Sequence, residues 1–190
     1  MISIAIPYYS KMDNAEFFMK RLLESIKMQT FKDYEIVITE EGNASENTNA
    51  AIKKSKGDLI KVMYMDDYFT DKNCLKEIVQ AFKQETKWLI NGCNNNMIPY
   101  YTGDIHQGNN KLGSPSCLTI RKGCEVEFDT SLRWLLDCDF YKKMYVKYGL
   151  PSILIGNYVT IGEGDHQATH TLSTLEKQAE VDLLRTRKYV

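Results

Sequence analysis

Two pairs of adjacent carboxylates, Glu40-Glu41 and Asp66-Asp67, each follow a short apolar run, Tyr34 to Thr39 and Leu59 to Met63. Neighbouring acids repel, so bringing such pairs together has an electrostatic cost unless a cation is present to offset it. Hard oxygen ligands of this kind suit Mg²⁺ or Mn²⁺, ions that commonly reach a protein through one or two carboxylates plus substrate phosphates. His166 and His170 stand four residues apart, a helical metal-binding spacing. No Glu follows His166, however, so the H-E-x-x-H protease pattern fails. Gly113-Ser114-Pro115 does not form the G-x-S-x-G turn of a serine hydrolase, which leaves Ser114 and Ser116 as candidates to line an acceptor site. Phosphate loops of the Walker or Rossmann type are missing, which disfavours a kinase or a dehydrogenase.

The elements that must position these groups are legible from periodicity. Strand-length apolar runs at 2–6, 34–39, 59–63 and 88–90 alternate with segments of helical period, the pattern of a mostly parallel sheet covered by helices. Asp13 or Asn14 is placed to cap a helix running to about Met28. Ser45 is placed to cap one ending at Gly57, and a third helix is predicted near Lys72–Glu85. In such sheets ligands bind beyond the carboxyl ends of the strands, so Pro7-Tyr8-Tyr9-Ser10, Glu40-Glu41 and Asp66-Asp67 are predicted to share one rim. From Asn91 to Ser114 the periodicity lapses, and a loop of that length is usually functional or disordered. A strand at 117–120, a helix over Ser131–Tyr148, a short strand at 153–155 and a charged helix from Ser173 to Arg187 complete the reading. His106, inside the long loop, is read as exposed.

The 190 residues carry 24 Lys and Arg against 25 Asp and Glu, a formal charge of −1. No overall basic field exists to hold nucleic acid. A chain of this length buries roughly 70% of its unfolded surface and needs no staple. Five cysteines without a C-x-x-C pair argue against a disulfide framework and a structural zinc site. No apolar stretch approaches the ~18 residues of a membrane span and no signal peptide is evident, so a cytoplasmic protein without a transmembrane segment is expected.

Four ordered segments carry a resemblance: Ile4-Ala-Ile-Pro-Tyr-Tyr9, Glu35-Ile-Val-Ile-Thr-Glu-Glu-Gly42, Asn47-Thr-Asn-Ala-Ala-Ile52 and Lys56-Gly-Asp-Leu-Ile-Lys-Val-Met-Tyr-Met-Asp-Asp-Tyr68. Over about sixty-five residues they resemble the "IPxYN", "VDDGS", "ARNxAI" and "GDxIxFLDxDD" motifs of family 2 glycosyltransferases. The second half matches more loosely, through Gly113-Ser-Pro-Ser116 and Trp134-Leu-Leu-Asp-Cys-Asp-Phe140. The resemblance implies a GT-A fold, a Rossmann-like three-layer sandwich in one domain. Residues 1–90 would form the nucleotide-sugar half, and 91–190 the acceptor half with the C-terminal helix. It implies that Glu41, with Glu40 beside it, contacts the nucleotide base, and that Pro7 and Tyr9 floor the base pocket. Asn47 and Asn49 match the polar helix face near the nucleotide. Asp66 would serve ribose and metal, with Asp67 as a further metal ligand. Tyr64 stands where the first acid of the DxD pattern is usual, which moves the metal-binding duty to these two. A late histidine, His166 with His170 in reserve, would complete the metal or diphosphate site. Asp137 matches the acid of the "ED" motif that opens a helix, and so the catalytic base. Its neighbours Trp134, Leu135 and Phe140 predict partial desolvation, which raises a carboxyl's proton affinity and suits it to accept a proton.

The implied activity is a metal-dependent, inverting transfer of a sugar from a nucleoside-diphosphate sugar (UDP-, GDP- or TDP-linked) to a glycan or other hydroxyl acceptor, with Mn²⁺ or Mg²⁺. Two other readings use the same acidic rim. A sugar-1-phosphate nucleotidyltransferase would normally carry a Gly-rich basic N-terminal loop, and Tyr8-Tyr9-Ser10-Lys11 is not one. A non-catalytic nucleotide- or carbohydrate-binding module is the third reading, suggested by Tyr64 and by the small size of the chain.

Overall fold

Ile2, Ile4 and Ile6 of strand β1 (Ile2–Pro7) face one apolar core and Ala5 the other, and the whole strand is buried. A strand covered on both faces reads in this way as a nearly continuous apolar run. The computed structural model describes residues 1–94, 97–165 and 167–190. Along the chain follow α1 (Ala15–Lys27), β2 (Tyr34–Thr39), α2 (Ala44–Lys54), β3 (Leu59–Val62), β4 (Tyr68–Phe69), α3 (Cys74–Ala81) and β5 (Trp88–Cys93). Then come β6 (Leu118–Arg121), α4 (Leu136–Tyr148), β7 (Ser152–Thr160), α5 (Ala168–Thr171) and α6 (Thr174–Thr186).

The strands form one sheet in the order β2-β1-β3-β6-β5-β7-β4. β1 pairs in parallel with β2 and β3, and β5 with β7, while β6 runs antiparallel between β3 and β5. Strands β2, β1, β3, β5 and β7 therefore share a direction and end on one rim. One core packs α1 and α3 onto the sheet through Leu22, Ile26, Leu75 and Ile78. The other packs α2, α4 and α6 through Ala51, Phe140, Tyr141 and Leu184. Gly57 lies so close to β1 that a Cβ there would fall 2.6 Å from the Ser3 nitrogen, which fixes α2's exit against the sheet.

Several local expectations are corrected. Asn14 is left-handed (φ 61°) and makes no side-chain cap, and α2 is capped by Asn43 rather than Ser45. The Asn43 carboxamide oxygen accepts from Ser45 and Glu46 N–H, and Glu46 returns a bond to Asn43 N–H, a complete capping box. α3 stops at Ala81, short of the predicted 85, because Phe82 is extended. β7 is longer than the three residues predicted, and β4 was not foreseen. α4 begins at Leu136 rather than Ser131, because the N–H groups of Arg133, Trp134 and Leu135 all donate to the Glu180 carboxylate of α6 at 2.8–3.3 Å. That carboxylate pins the three residues that lead into α4, Leu135 being the N-cap position, and so fixes where the helix starts. Asp137 thus sits in the first turn of α4, where acids are favoured, and not in mid-helix as read from the sequence.

Candidate functional site

The carboxyl end of β3 leads into Tyr64-Met65-Asp66-Asp67, and both acids are buried. Asp67 N–H returns to the Tyr64 carbonyl at 3.1 Å, closing a tight turn. Asp67 Oδ1 accepts from Gly162 N–H at 2.7 Å, and the Ser116 hydroxyl also bonds this carboxyl. Burial, and then the Asp66 charge next door, hold Asp67 well above the usual carboxylate range. Gly162 permits this packing, since a Cβ there would lie 2.4 Å from the Asp66 carbonyl oxygen. Arg21 of α1 braces the turn from outside, donating to that same carbonyl at 2.5 Å with its guanidinium over the Tyr68 ring.

Beneath the turn lies a cation the sequence reading passed over. Lys61 is fully buried within β3, and its ammonium bonds Asn91 Oδ1 at 2.8 Å together with the Ser116 carbonyl. Ser116 in turn accepts the Tyr64 N–H at 2.8 Å. Lys61 therefore anchors the 3₁₀ turn Pro115–Cys117 that presents Ser116 to the acids. Alternating apolar neighbours conceal such a lysine in the sequence. The only signal is a charge inside a strand that must be covered on both faces.

Asp137 approaches from α4. Its Oδ1 accepts Cys138 N–H at 2.7 Å and its Oδ2 accepts Asn110 Nδ2 at 2.8 Å. Burial outweighs these bonds and pushes its proton affinity up to about 6. Burial, and to a smaller degree the charges of Asp137, Asp66 and Asp67, hold the Tyr64 phenol well above its usual range. The Tyr64 phenol oxygen accepts from the Thr48 hydroxyl at 3.2 Å, and burial keeps the phenol neutral. Hydrogen bonds thus join Asp67, Tyr64, Ser116 and Gly162 from separate segments, and Asp137 is tied to the same Gly113–Ser116 stretch through Asn110.

The remaining predicted residues are placed as follows. Pro7 ends β1, and Tyr9 is exposed, its N–H directed at Met65 Sδ at 3.3 Å. Asn47 is buried and links two strand ends, donating to the Tyr8 carbonyl at 2.7 Å and accepting Glu41 N–H at 3.1 Å. The Glu41 side chain is exposed and pairs with Lys54 at 2.5 Å, and Glu40 accepts Ser10 N–H at 2.8 Å. Asn49 turns to the opposite side, exchanging both its amide groups with the Phe128 backbone at 2.9 Å. His170 is exposed on α5, and His166 lies outside the described residues. His106 is half-buried edge-on against Tyr189 rather than exposed. Two surface depressions flank α1, one lined by Tyr8, Met19 and Lys20, the other by Met28, Phe69 and Asn157; neither contains Asp66, Asp67 or Asp137.

The donor set has a definite chemistry. Two adjacent buried carboxyls, one held from ionising partly by the other, fit a hard divalent cation that would relieve their repulsion. Among the described residues no group of three or more His, Cys, Asp or Glu side chains gathers in metal-binding geometry. Further ligands would then be substrate or water oxygens, or a residue outside the described set.

No protein-family profile matches the sequence, and no curated protein does. Solved structures do. S. aureus TarS 1–349 in complex with UDP-GlcNAc superposes with a TM-score of 0.71 at 16% identity, covering 100% of this chain and 67% of that one. The mannosyltransferase PcManGT from Pyrobaculum calidifontis, in complex with GDP-Man and Mn²⁺, gives 0.65 at 10% identity, covering 100% and 65%. The chain spans 42% of the longer TarS structure. Among the described residues no helix is long and apolar enough to cross a membrane. With its mixed, mostly parallel sheet and flanking helices, the chain has the Rossmann-like GT-A fold that the sequence resemblance implied.

Proposed function

We propose that this protein is a glycosyltransferase that moves a sugar from a nucleoside-diphosphate sugar to an acceptor hydroxyl with inversion at the anomeric carbon. The observation that carries this reading is the seating of the buried Asp66-Asp67 pair where this sheet's parallel strands end, with Asp137 bonded through Asn110 to Gly113 of the segment that carries Ser116 to Asp67. Support comes from the fold shared with proteins solved with UDP-GlcNAc and with GDP-Man and Mn²⁺.

In this reading Pro7, Tyr9 and Glu41 border the nucleotide, and Asn47 holds the ends of β1 and β2 at the spacing that pocket needs. Asn49 acts at one remove, by fixing the 128 backbone against α2. Asp66 and Asp67 would hold Mn²⁺ or Mg²⁺, with His166 as a further ligand. When bound, such an ion supplies positive charge against the departing diphosphate. Ser116 and Gly162 N–H keep the Asp67 carboxyl oriented while the donor binds. Asp137 takes the proton of the acceptor hydroxyl as that oxygen bonds to the anomeric carbon, and the bond to the diphosphate oxygen breaks with its electron pair leaving on the nucleotide. A carboxylate with a proton affinity near 6 is ionised at neutral pH and yet basic enough to accept that proton.

The test is Asp137→Asn. Donor binding, read by calorimetry with UDP-GlcNAc and GDP-mannose plus Mn²⁺, is expected to persist within about threefold, while transfer falls by roughly 10²–10⁴. Parallel loss of binding and turnover contradicts the assignment. Release of pyrophosphate from a nucleoside triphosphate and a sugar phosphate would favour the nucleotidyltransferase reading.

A further inference from the structure

We propose that Asn110 is a positioning residue of the transfer reaction, its amide N–H fixing the plane of the Asp137 carboxylate toward the acceptor. This rests on the assignment of Asp137 as base. Asn110 belongs to the long loop, which no motif anchors, yet its side chain makes four hydrogen bonds. Nδ2 donates to Asp137 Oδ2 at 2.8 Å and to the Gly113 carbonyl at 3.0 Å. Oδ1 accepts Leu112 N–H at 2.8 Å and Gly113 N–H at 3.2 Å. The side chain therefore ties the turn 110–113 into a knot and spends its outward N–H on the carboxylate.

The knot is itself immobilised. Gly113 has φ +98° and lies against Cys117, where a Cβ would come within 2.9 Å of Sγ, so the turn is pressed onto the segment that presents Ser116. Leu112 is buried in the core shared with α4. Asp137 Oδ1 is meanwhile held by its own helix through Cys138 N–H. One oxygen is thus referenced to α4 and the other to the loop, which fixes the carboxylate plane without occupying every lone pair.

The titratable groups facing Asp137 are Tyr64 from the segment after β3 and Cys138 and Tyr141 from α4, all kept neutral by burial. The charges of Asp66 and Asp67 reach the same phenol. Asp139, two residues on, is directed instead to Lys143, Arg187 and Tyr189. The Cys138 thiol and Asn110 Nδ2 are both side-chain donors to the ionised form of Asp137 and oppose the effect of burial; Asn110 is the one that comes from outside α4.

The experiment is the pH dependence of kcat for the wild type, Asn110→Asp and Asn110→Ala, with Asp137→Asn as control. Asn110→Asp keeps the acceptor for the Leu112 and Gly113 N–H groups, so that half of the knot survives, but it loses the bonds donated to the Gly113 carbonyl and to Asp137 and places a second carboxylate there. Its acidic limb is expected to move up by about one pH unit or more, with donor KM unchanged within about twofold. Asn110→Ala, which adds no charge, is expected to move the limb in the same direction by less. Limbs that coincide with the wild type in both variants overturn the role of Asn110, provided Asp137→Asn abolishes transfer. Transfer retained by Asp137→Asn overturns instead the reading of the base on which this one rests.

Discussion

At the scale of single residues, Asp137 carries opposing demands. Its carboxyl has been moved from water into a site beside Tyr64 and Cys138, which raises its proton affinity to about 6. If it serves as the base, kcat should rise with pH through about 6 and level off above, because only the ionised form accepts a proton. The same shift acts on stability with a definite sign. The folded state binds this proton more tightly than the unfolded chain, so the cost of ionisation is absent below about pH 4 and fully present above about pH 6. A rise of about two units corresponds to at most ~3 kcal/mol. Asp137→Asn should therefore raise the melting temperature by several degrees at pH 7.5 and leave it nearly unchanged at pH 3.5, as scanning calorimetry at the two pH values would read. An equal change at both would mean that the carboxylate is not held against its ionised form. The desolvation of Asp137 was legible from Trp134, Leu135 and Phe140 around it. Its partner Asn110 was not, because a hydrogen bond between residues 27 apart leaves no mark in local pattern.

Elements supply the next layer of control. α4 carries Asp137 in its first turn, and that turn is held by α6: Glu180 accepts three N–H groups at the start of α4, and Arg187 bonds both Asp139 and Asp129. Removing Glu180 would leave the three N–H groups that lead into α4 dependent on water, at a cost of ~1–3 kcal/mol. Glu180→Ala is expected to lower the melting temperature by several degrees, and Glu180→Gln, which keeps one acceptor oxygen, by less; unchanged melting in both would deny α6 this role. The strands and helices of the first half were readable because apolar alternation and helical period agree there with the buried pattern. Glu180 explains the misplaced start of α4, since the periodicity of Leu132, Leu135 and Leu136 persists through residues that a distant carboxylate keeps out of the helix. β4 is only two residues long, too short for any alternation to show.

For the whole molecule, one sheet joins the two predicted halves. β6, from residues 118–121, lies between β3 and β5, so Ser116 arrives beside the Asp66-Asp67 turn from a strand fifty residues later in the chain. That antiparallel insertion is invisible to a reading that steps strand by strand along the chain, although the rim itself followed from the rule that ligands collect at the carboxyl ends of parallel strands. The molecular claim is that this rim binds a nucleoside diphosphate through a divalent ion held by Asp66 and Asp67. Because a ligand selective for the folded state raises apparent stability, UDP and GDP should each be screened by thermal shift with Mn²⁺, with Mg²⁺ and with chelator. At least one nucleotide is expected to raise the melting temperature only when the metal is present.

The most direct measurement is titration calorimetry of that nucleotide, with and without Mn²⁺, on the wild type, on Asp66→Asn with Asp67→Asn, and on Asp137→Asn. The expected result is metal-dependent binding in the wild type, its loss in the double variant, and its retention when Asp137 is changed. Binding of equal strength without metal, or undiminished in the double variant, would contradict the account.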